Sequence, residues 1–408
     1  MGLSFEEKLD RLAEVAVQVG VGLLPGQKLV VTGHVDALPL IHRVVVAAYR
    51  AGSRYVLTDL YDDRLAVQRF LHAPRDSFEE YPTFQIEARL KALDEGYALL
   101  WVGADNPAAM KGQDPELLRI AGQTRAKHAK PVSDRIGQFA VNWCIIGAAS
   151  KPWAEMVFPG DPQATEKLWD AIFAASRADQ PDPVAAWKAH TEALEARVAL
   201  LNARNFSALH FWGPGTDLKV GLADGHLWAG GAGRAKNGAV CVPNMPTEEV
   251  FTTPHRERVE GVVTATKPLS FRGTLLENIR VRFEGGVVVE ATADRGEEVL
   301  RGLLDTDEGA RRLGEVALVP HNSPVSRSGL LFYETLYDEN AASHIALGSS
   351  YDECLKNSAE MTPEHKQQAG ANDSLIHVDW MIGSDKVDVD GITQDGSAEP
   401  LMRGGEWV

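Results

Sequence analysis

Apolar positions in the first hundred residues recur at helical spacing, then at strand spacing, and the two patterns alternate along the chain. Leu9, Leu12, Val15, Ala16 and Val19 follow Ser4 and Glu7, a capping-box pair, and Gly20 ends the run. After the turn residues Pro25 and Gly26, positions 28–32 read as a strand, 37–51 as a helix and 54–58 as a second strand. Strand, helix, strand at this spacing is a βαβ unit, which predicts a parallel sheet with right-handed crossovers. Residues 86–96 add a helix and 98–102 another buried strand. Between 152 and 206 the pattern is helical, broken at Pro181-Asp182-Pro183. Its second half, 184–203, carries Trp187, Leu194, Val198 and Leu201 on one side, as a helix bridging to a second domain does. Beyond it short strands dominate, at 208–212, 218–222, 239–242, 259–264, 279–283 and 287–293, with Gly285-Gly286 as a hairpin turn. The expected architecture is an α/β N-terminal domain over 1–205, followed by an α+β C-terminal domain over 206–408 with a mixed or antiparallel sheet.

Length and composition agree with two soluble domains: 408 residues, 44% hydrophobic and 24% charged. The formal net charge of −16 argues against nucleic acid or an anionic membrane as the main partner, and favours cations. Cys144, Cys241 and Cys354 lie far apart without a paired-cysteine motif, which excludes a thiolate zinc knot and suits a reducing compartment. The first residues hold no apolar signal core, and no apolar run reaches membrane-spanning length, so the expected location is the cytoplasm.

The chemistry gathers in four stretches of the second half. Residues 375–382, Leu-Ile-His-Val-Asp-Trp-Met-Ile, alternate as a strand does, so His377 and Asp379 share one face while Ile376, Val378, Trp380 and Ile382 share the other. The plain alternative is a His–Asp pair that only orients a ring. In Asn244-Met-Pro-Thr-Glu248-Glu249-Val-Phe-Thr-Thr-Pro254 the plain alternative is a helix capped by Thr247. Val250 to Thr253 are poor helix formers, however, and Pro254 stops any helix. Two adjacent glutamates at a strand end have separate tasks available, one binding a metal and the other taking a proton. Glu315 opens a short apolar strand just after Arg311-Arg312, where a surface ion pair is the ordinary expectation. The run Asp338-Glu339-Asn340-Ala-Ala-Ser-His344, with Tyr351 close behind, is dense in polar groups between apolar neighbours, and its two acids could cap a helix. Glu249, Glu315, His344, His377 and Asp379 together, two imidazoles and three carboxylates, suit two hard or borderline divalent ions sharing a carboxylate.

Three of these runs, Asn-Met-Pro-Thr-Glu-Glu-Val-Phe-Thr-Thr-Pro, Asp-Glu-Asn-Ala-Ala-Ser-His-Ile-Ala-Leu-Gly and His-Val-Asp-Trp-Met-Ile-Gly-Ser, resemble the signatures of the aminopeptidase T/S family of dinuclear metallo-aminopeptidases. Gly-Pro-Gly-Thr-Asp-Leu-Lys-Val-Gly-Leu at 213–222 and the N-terminal βαβ layout are similar too. The resemblance implies that Glu249, Glu315, His344, His377 and Asp379 bind two divalent metals (cobalt, zinc or magnesium), with Glu315 as the bridge and Tyr351 near the metals. It also implies a homodimer with active sites facing an enclosed cavity, and peptides with a free N-terminus as substrates. On that reading Glu248 takes the proton of a metal-activated water and delivers it to the leaving amine, while the Tyr351 phenol stabilises the oxyanion. Trp380 stands where a smaller aromatic is expected, on the face opposite the ligands.

Gly33-His34-Val-Asp36-Ala-Leu-Pro39 resembles the metal-binding run of the peptidase group that includes carboxypeptidase G, but that group's downstream elements are absent after Asp59. The expectation is instead that Asp36 caps the following helix. The competing functions are another dinuclear metallohydrolase, an amidohydrolase or a phosphoesterase, and, further off, a metal-stabilised scaffold without activity. A phosphoesterase would want Arg or Lys beside the metals.

Overall fold

A computed structural model describes residues 2–271 and 273–408. The chain condenses into two compact units, one of residues 1–191 and 232–247, the other of residues 192–231 and 248–408.

In the first unit Ser4 caps helix α1 (Phe5–Val15) with the expected reciprocal pair, its hydroxyl accepting from Glu7 N and the Glu7 carboxylate accepting from Ser4 N. A single wide turn, Ala16–Gly20, extends that helix to the glycine. Strands β1 (Leu29–His34) and β2 (Val56–Tyr61) are parallel, joined by helix α2 (Leu38–Arg50). Helices α3 (Asp63–His72) and α4 (Thr83–Asp94) lead to β3 (Ala98–Gly103), on the other side of β1, and then to β4 (Trp143–Gly147). The two-residue strand Asn244–Met245 returns to pair with β4, so the parallel sheet has five members and β2 forms one edge. That edge is uncovered: Leu57 and Leu60 are each 43% exposed, and α3 buries none of its residues. Most parallel strands are covered on both faces, so this one departs from the rule.

Among the described residues the second unit holds two large antiparallel sheets and a two-stranded antiparallel ribbon, Leu269–Phe271 with Thr274–Leu276. The larger has eight strands in the spatial order Val287–Thr292, Arg280–Glu284, Pro254–Thr264, Thr216–Leu222, Ala208–Gly213, Asp388–Ile392, Ala398–Arg403 and Glu406–Trp407. The expected hairpin at Gly285-Gly286 is present, with both glycines at positive φ (55° and 78°), which side chains with a Cβ adopt at a cost.

The smaller sheet positions the functional side chains. Its four strands run Val250–Thr252, Leu313–Leu318, His344–Gly348 and His377–Met381. The register sets Val316 beside Ile345 and Ile345 beside Trp380. Strand alternation then gives one face to Val250, Val316, Leu318, Ile345, Leu347, Val378 and Trp380, all buried in the main apolar core of this unit. The opposite face is left to the polar residues. We predict that Ile345→Ala lowers stability by about 2–5 kcal/mol, because its side chain is wholly buried in that core, with the loss read as a lower urea midpoint.

Candidate metal centre

The polar face of the smaller sheet is built by the same alternation. On the strand Leu313–Leu318 it carries Glu315 and Ala317, on His344–Gly348 it carries His344, Ala346 and Gly348, and on His377–Met381 it carries His377, Asp379 and Met381. Glu315, Ala346 and Asp379 stand in one row across three strands. Phe251 pairs with Ala317, so Phe251 shares this face, and Glu249 lies two residues before it. Alanine and glycine therefore occupy the middle of the face, with longer acids and imidazoles around them. The alternative of a helix capped by Thr247 does not form, since the chain runs extended from 250 into the strand beginning at Pro254.

Five side chains meet there. His344 Nε2 lies 3.1 Å from Glu249 Oε2 and 3.7 Å from Glu315 Oε1. His377 Nε2 lies 3.1 Å from Glu315 Oε2 and 3.3 Å from Asp379 Oδ1. Glu315 thus turns one oxygen toward each histidine, and the five residues form two overlapping groups, Glu249–Glu315–His344 and Glu315–His377–Asp379, that share it. The basic pair beside Glu315 is engaged elsewhere: Arg311 pairs with Asp305, and Arg312 donates to the Arg256 carbonyl.

Both imidazoles are oriented from behind. His344 Nδ1 donates to the Ala342 carbonyl at 3.2 Å and His377 Nδ1 to the Ser349 carbonyl at 2.7 Å, which turns each Nε2 toward the carboxylates. Glu249 Oε2 and Asp379 Oδ1 are buried and, beyond the imidazole contacts, accept no hydrogen bond among the described residues. Burial raises the Glu249 carboxyl above its ordinary range even though His344 pulls it down. For His344 and His377 burial favours the neutral ring, yet the surrounding carboxylates win and hold both well above the usual value. Burial pushes Asp379 up, and the His377 charge brings it below its ordinary value. The excess of buried negative charge, the orphaned oxygens and the oxygen–nitrogen donor set without thiolate fit divalent cations.

Two further acids belong here. Glu339 is buried, and its carboxyl is driven far up by desolvation and by Glu249, Asp379 and Glu315. Of the two acids that could cap a helix, Asp338 accepts backbone N–H groups near a helix start, from Phe332 N at 2.7 Å and Glu334 N at 3.1 Å. Desolvation, then Glu315 and Glu249, raises the Glu353 carboxyl. Glu248 is buried, with its backbone N–H donating to Asn340 Oδ1 at 2.7 Å. The Tyr351 ring lies with its centroid 4.6 Å from that of His377 and 5.8 Å from that of Phe251. Its phenol is held well above its usual pKa by desolvation, then by Glu315 and Asp379, so it keeps its proton.

The run at Gly33–Pro39 forms differently from expectation. Asp36 does not cap α2: a 3-10 turn, Val35–Ala37, intervenes, the cap position falls on Ala37 without a side-chain bond, and Pro39 near the helix start has no N–H to satisfy. The capping side chain of the turn is His34, whose Nδ1 accepts from Asp36 N at 3.2 Å. His34, Asp62 and Asp63 are close enough to suggest a third metal group. The chain itself satisfies them: His34 Nε2 faces Asp63 Oδ1 at 3.4 Å, Asp63 Oδ2 accepts from Asn106 N, and Asp62 accepts from Arg64.

The family model described as thermophilic metalloprotease (M29) matches residues 5–407. The chain is 51% identical over 407 residues to aminopeptidase T of Thermus thermophilus, covering 99% of each. It is 44% identical over 406 residues to aminopeptidase 2 of Geobacillus stearothermophilus, covering 99% of this chain and 98% of that one. The solved structure of wild-type AmpT from Thermus thermophilus superposes with a TM-score of 0.94 at 50% identity, covering 99% of this chain and 100% of that one. A dioxygenase structure from Pseudomonas putida KT2440 shares the fold alone, with a TM-score of 0.52 at 12% identity.

The buried Asp338 makes a pH prediction. Burial pushes its carboxyl up to about 7 from 3.8, against the two N–H bonds that favour the anion. Between those values the folded chain keeps a proton that the unfolded chain has lost, so stability falls as pH rises, by at most about 4 kcal/mol. Asp338→Asn should remove that slope. Urea unfolding of both proteins in chelator, at about pH 4.5 and about pH 7.5, would show the variant gaining on wild type at the higher pH.

Proposed function

This chain belongs to the thermophilic metalloprotease (M29) family and is a peptide hydrolase of the aminopeptidase type; we propose that it releases N-terminal residues from peptides at the polar face of the smaller sheet. The observation that carries this reading is Glu315, placed between two histidines with one oxygen toward each. Glu249, Glu315 and His344 would hold one divalent cation, and Glu315, His377 and Asp379 a second. Glu339, buried against the same carboxylates, would add a further oxygen donor. Cobalt, zinc and magnesium are the candidates for this nitrogen–oxygen set. Bound cations would supply Lewis acidity and an acidified water for amide hydrolysis.

The chain's own groups would do the rest. Glu248, next to the ligand Glu249 and sequestered from solvent, takes the water proton and passes it to the leaving nitrogen. The Tyr351 phenol, whose ring lies against His377, donates to the oxygen that gains charge as the carbonyl is attacked. The charges that act most strongly on Glu249, Glu339 and Tyr351 are carboxylates and His344, which favours a carbonyl substrate over a phosphate ester. Cys144, Cys241 and Cys354 are buried and form no disulfide among the described residues, which suits the reducing cytoplasm, and no helix of the described residues is long and apolar enough to cross a membrane. The uncovered β2 edge, with Leu57 and Leu60, supports a homodimer joined through this unit.

Two predictions test the reading. Hydrolysis of aminoacyl-p-nitroanilides should vanish on chelation and return with cobalt, zinc or magnesium. Glu248→Gln should then lower kcat by about 10²–10⁴ while bound metal, counted by mass spectrometry, is retained, whereas Glu339→Gln should weaken metal retention. Unchanged kcat in the Glu248 variant would move the base elsewhere. Separately, Leu60→Lys should shift the species measured by light scattering from dimer to monomer while the circular dichroism spectrum stays the same.

A further inference from the structure

An aminopeptidase must distinguish a peptide's free ammonium from an internal amide. The short turn after the strand His344–Gly348 supplies a side chain suited to it. Tyr351 packs against His377 and Phe251 at one end of the turn. At the other end Cys354 is buried, its N–H donating to the Tyr351 carbonyl at 3.1 Å and its own carbonyl accepting from Leu227 N at 2.8 Å. The segment between them, Asp352–Cys354, is a single 3-10 turn. Its two acids have different surroundings. Asp352 is paired outward with Lys366 at 2.6 Å. Glu353 makes no hydrogen bond or ion pair among the described residues, and the charges its carboxyl responds to are Glu315 and Glu249. The residue is exposed to solvent, and desolvation together with the two acids pushes the carboxyl up to about 7.

We propose that Glu353 receives the α-ammonium group of the substrate, and so is the residue that restricts this centre to the N-terminus of a peptide. It is an accessible carboxylate outside the ligand set, held by the turn that also carries Tyr351, and it lacks a cation. An ammonium placed between Glu353 and the carboxylates of the centre would fill that lack, whereas an acylated or internal amide nitrogen would leave the carboxylate unpaired and partly desolvated. The inference rests on the aminopeptidase reading given above and adds the side chain that selects the substrate.

Calorimetric binding to metal-loaded protein separates the two claims. Wild type should bind leucinamide about ten- to a hundredfold more tightly than the amide of 4-methylpentanoic acid, which lacks only the amine, as expected for one charge-assisted hydrogen bond. Glu353→Gln should erase that preference with metal content unchanged, and Glu353→Asp should restore part of it. On leucine p-nitroanilide, Glu353→Gln should raise KM by about the same ten- to hundredfold with kcat within about threefold. A variant that keeps the preference for leucinamide overturns the proposal, as does one that loses its metals together with the preference, or a wild type that shows no preference. If wild type prefers leucinamide yet cleaves no aminoacyl substrate with any of the three metals, the peptidase reading fails and the role of Glu353 in binding amines stands.

Discussion

Buried negative charge is the constraint to which this part of the molecule answers. Glu249, Glu315, Glu339 and Asp379 are each at least nine-tenths removed from solvent, against two imidazoles that could carry positive charge. Desolvation on that scale costs several kcal/mol for each unpaired ion, so the carboxylates either take protons or gain cations. Without a metal the histidines are pulled into the charged form and Glu249 and Glu339 toward the neutral one. Both responses are the behaviour of ligands poised to exchange protons for metal. The apolar face of the same sheet makes this tolerable, because the core behind it fixes the strands that present the ligands.

How much of this was legible in the sequence depends on the range of the interaction. Strand alternation is local, so the separation of His377 and Asp379 from Val378 and Trp380 could be read from eight residues, and the structure has it that way. Capping at Ser4 and the glycine hairpin at 285–286 are local in the same sense. Glu315 had a plausible surface role judged by its neighbours in sequence; it is buried because its strand lies between those of Val250 and His344, which only the sheet order reveals. Glu339 was missed for a similar reason. An acid after an acid near a short helix reads as a cap, and whether its side chain turns to solvent or to the centre is decided by tertiary packing. The Asp36 cap failed through a local detail that composition does not carry, the 3-10 turn inserted before α2. No change in composition announces that residues 232–247 return to the first unit, since their contribution to its sheet is only the two residues Asn244 and Met245.

The three histidine–carboxylate groups show why residue type alone is weak evidence for a metal. His34, Asp62 and Asp63 are as close together as the groups around Glu315. Their acceptors are consumed by backbone and arginine N–H groups, and His34 Nδ1 accepts a backbone N–H. A cation there would have to displace bonds that the fold already makes. At the polar face of the smaller sheet the backbone instead donates nothing to Glu249 Oε2 or Asp379 Oδ1, and binds the histidines by the nitrogen that points away. The useful discriminator is therefore which ligand atoms the protein has left unsatisfied, and at what burial.

The same criterion extends from the ligands to the turn above them. A group that binds a transient partner must be left without a permanent one, and it must be held by something else. Tyr351 is held by ring contacts, and Glu353 by the buried Cys354 on one side and Tyr351 on the other, so neither functional end group takes part in its own anchoring. Asp352, one residue away, does the opposite and uses its carboxylate to tie the turn to Lys366. Three consecutive residues thus divide the work of anchoring and binding, and that division makes the exposed, unpaired carboxylate at 353 a matter of substrate rather than of stability.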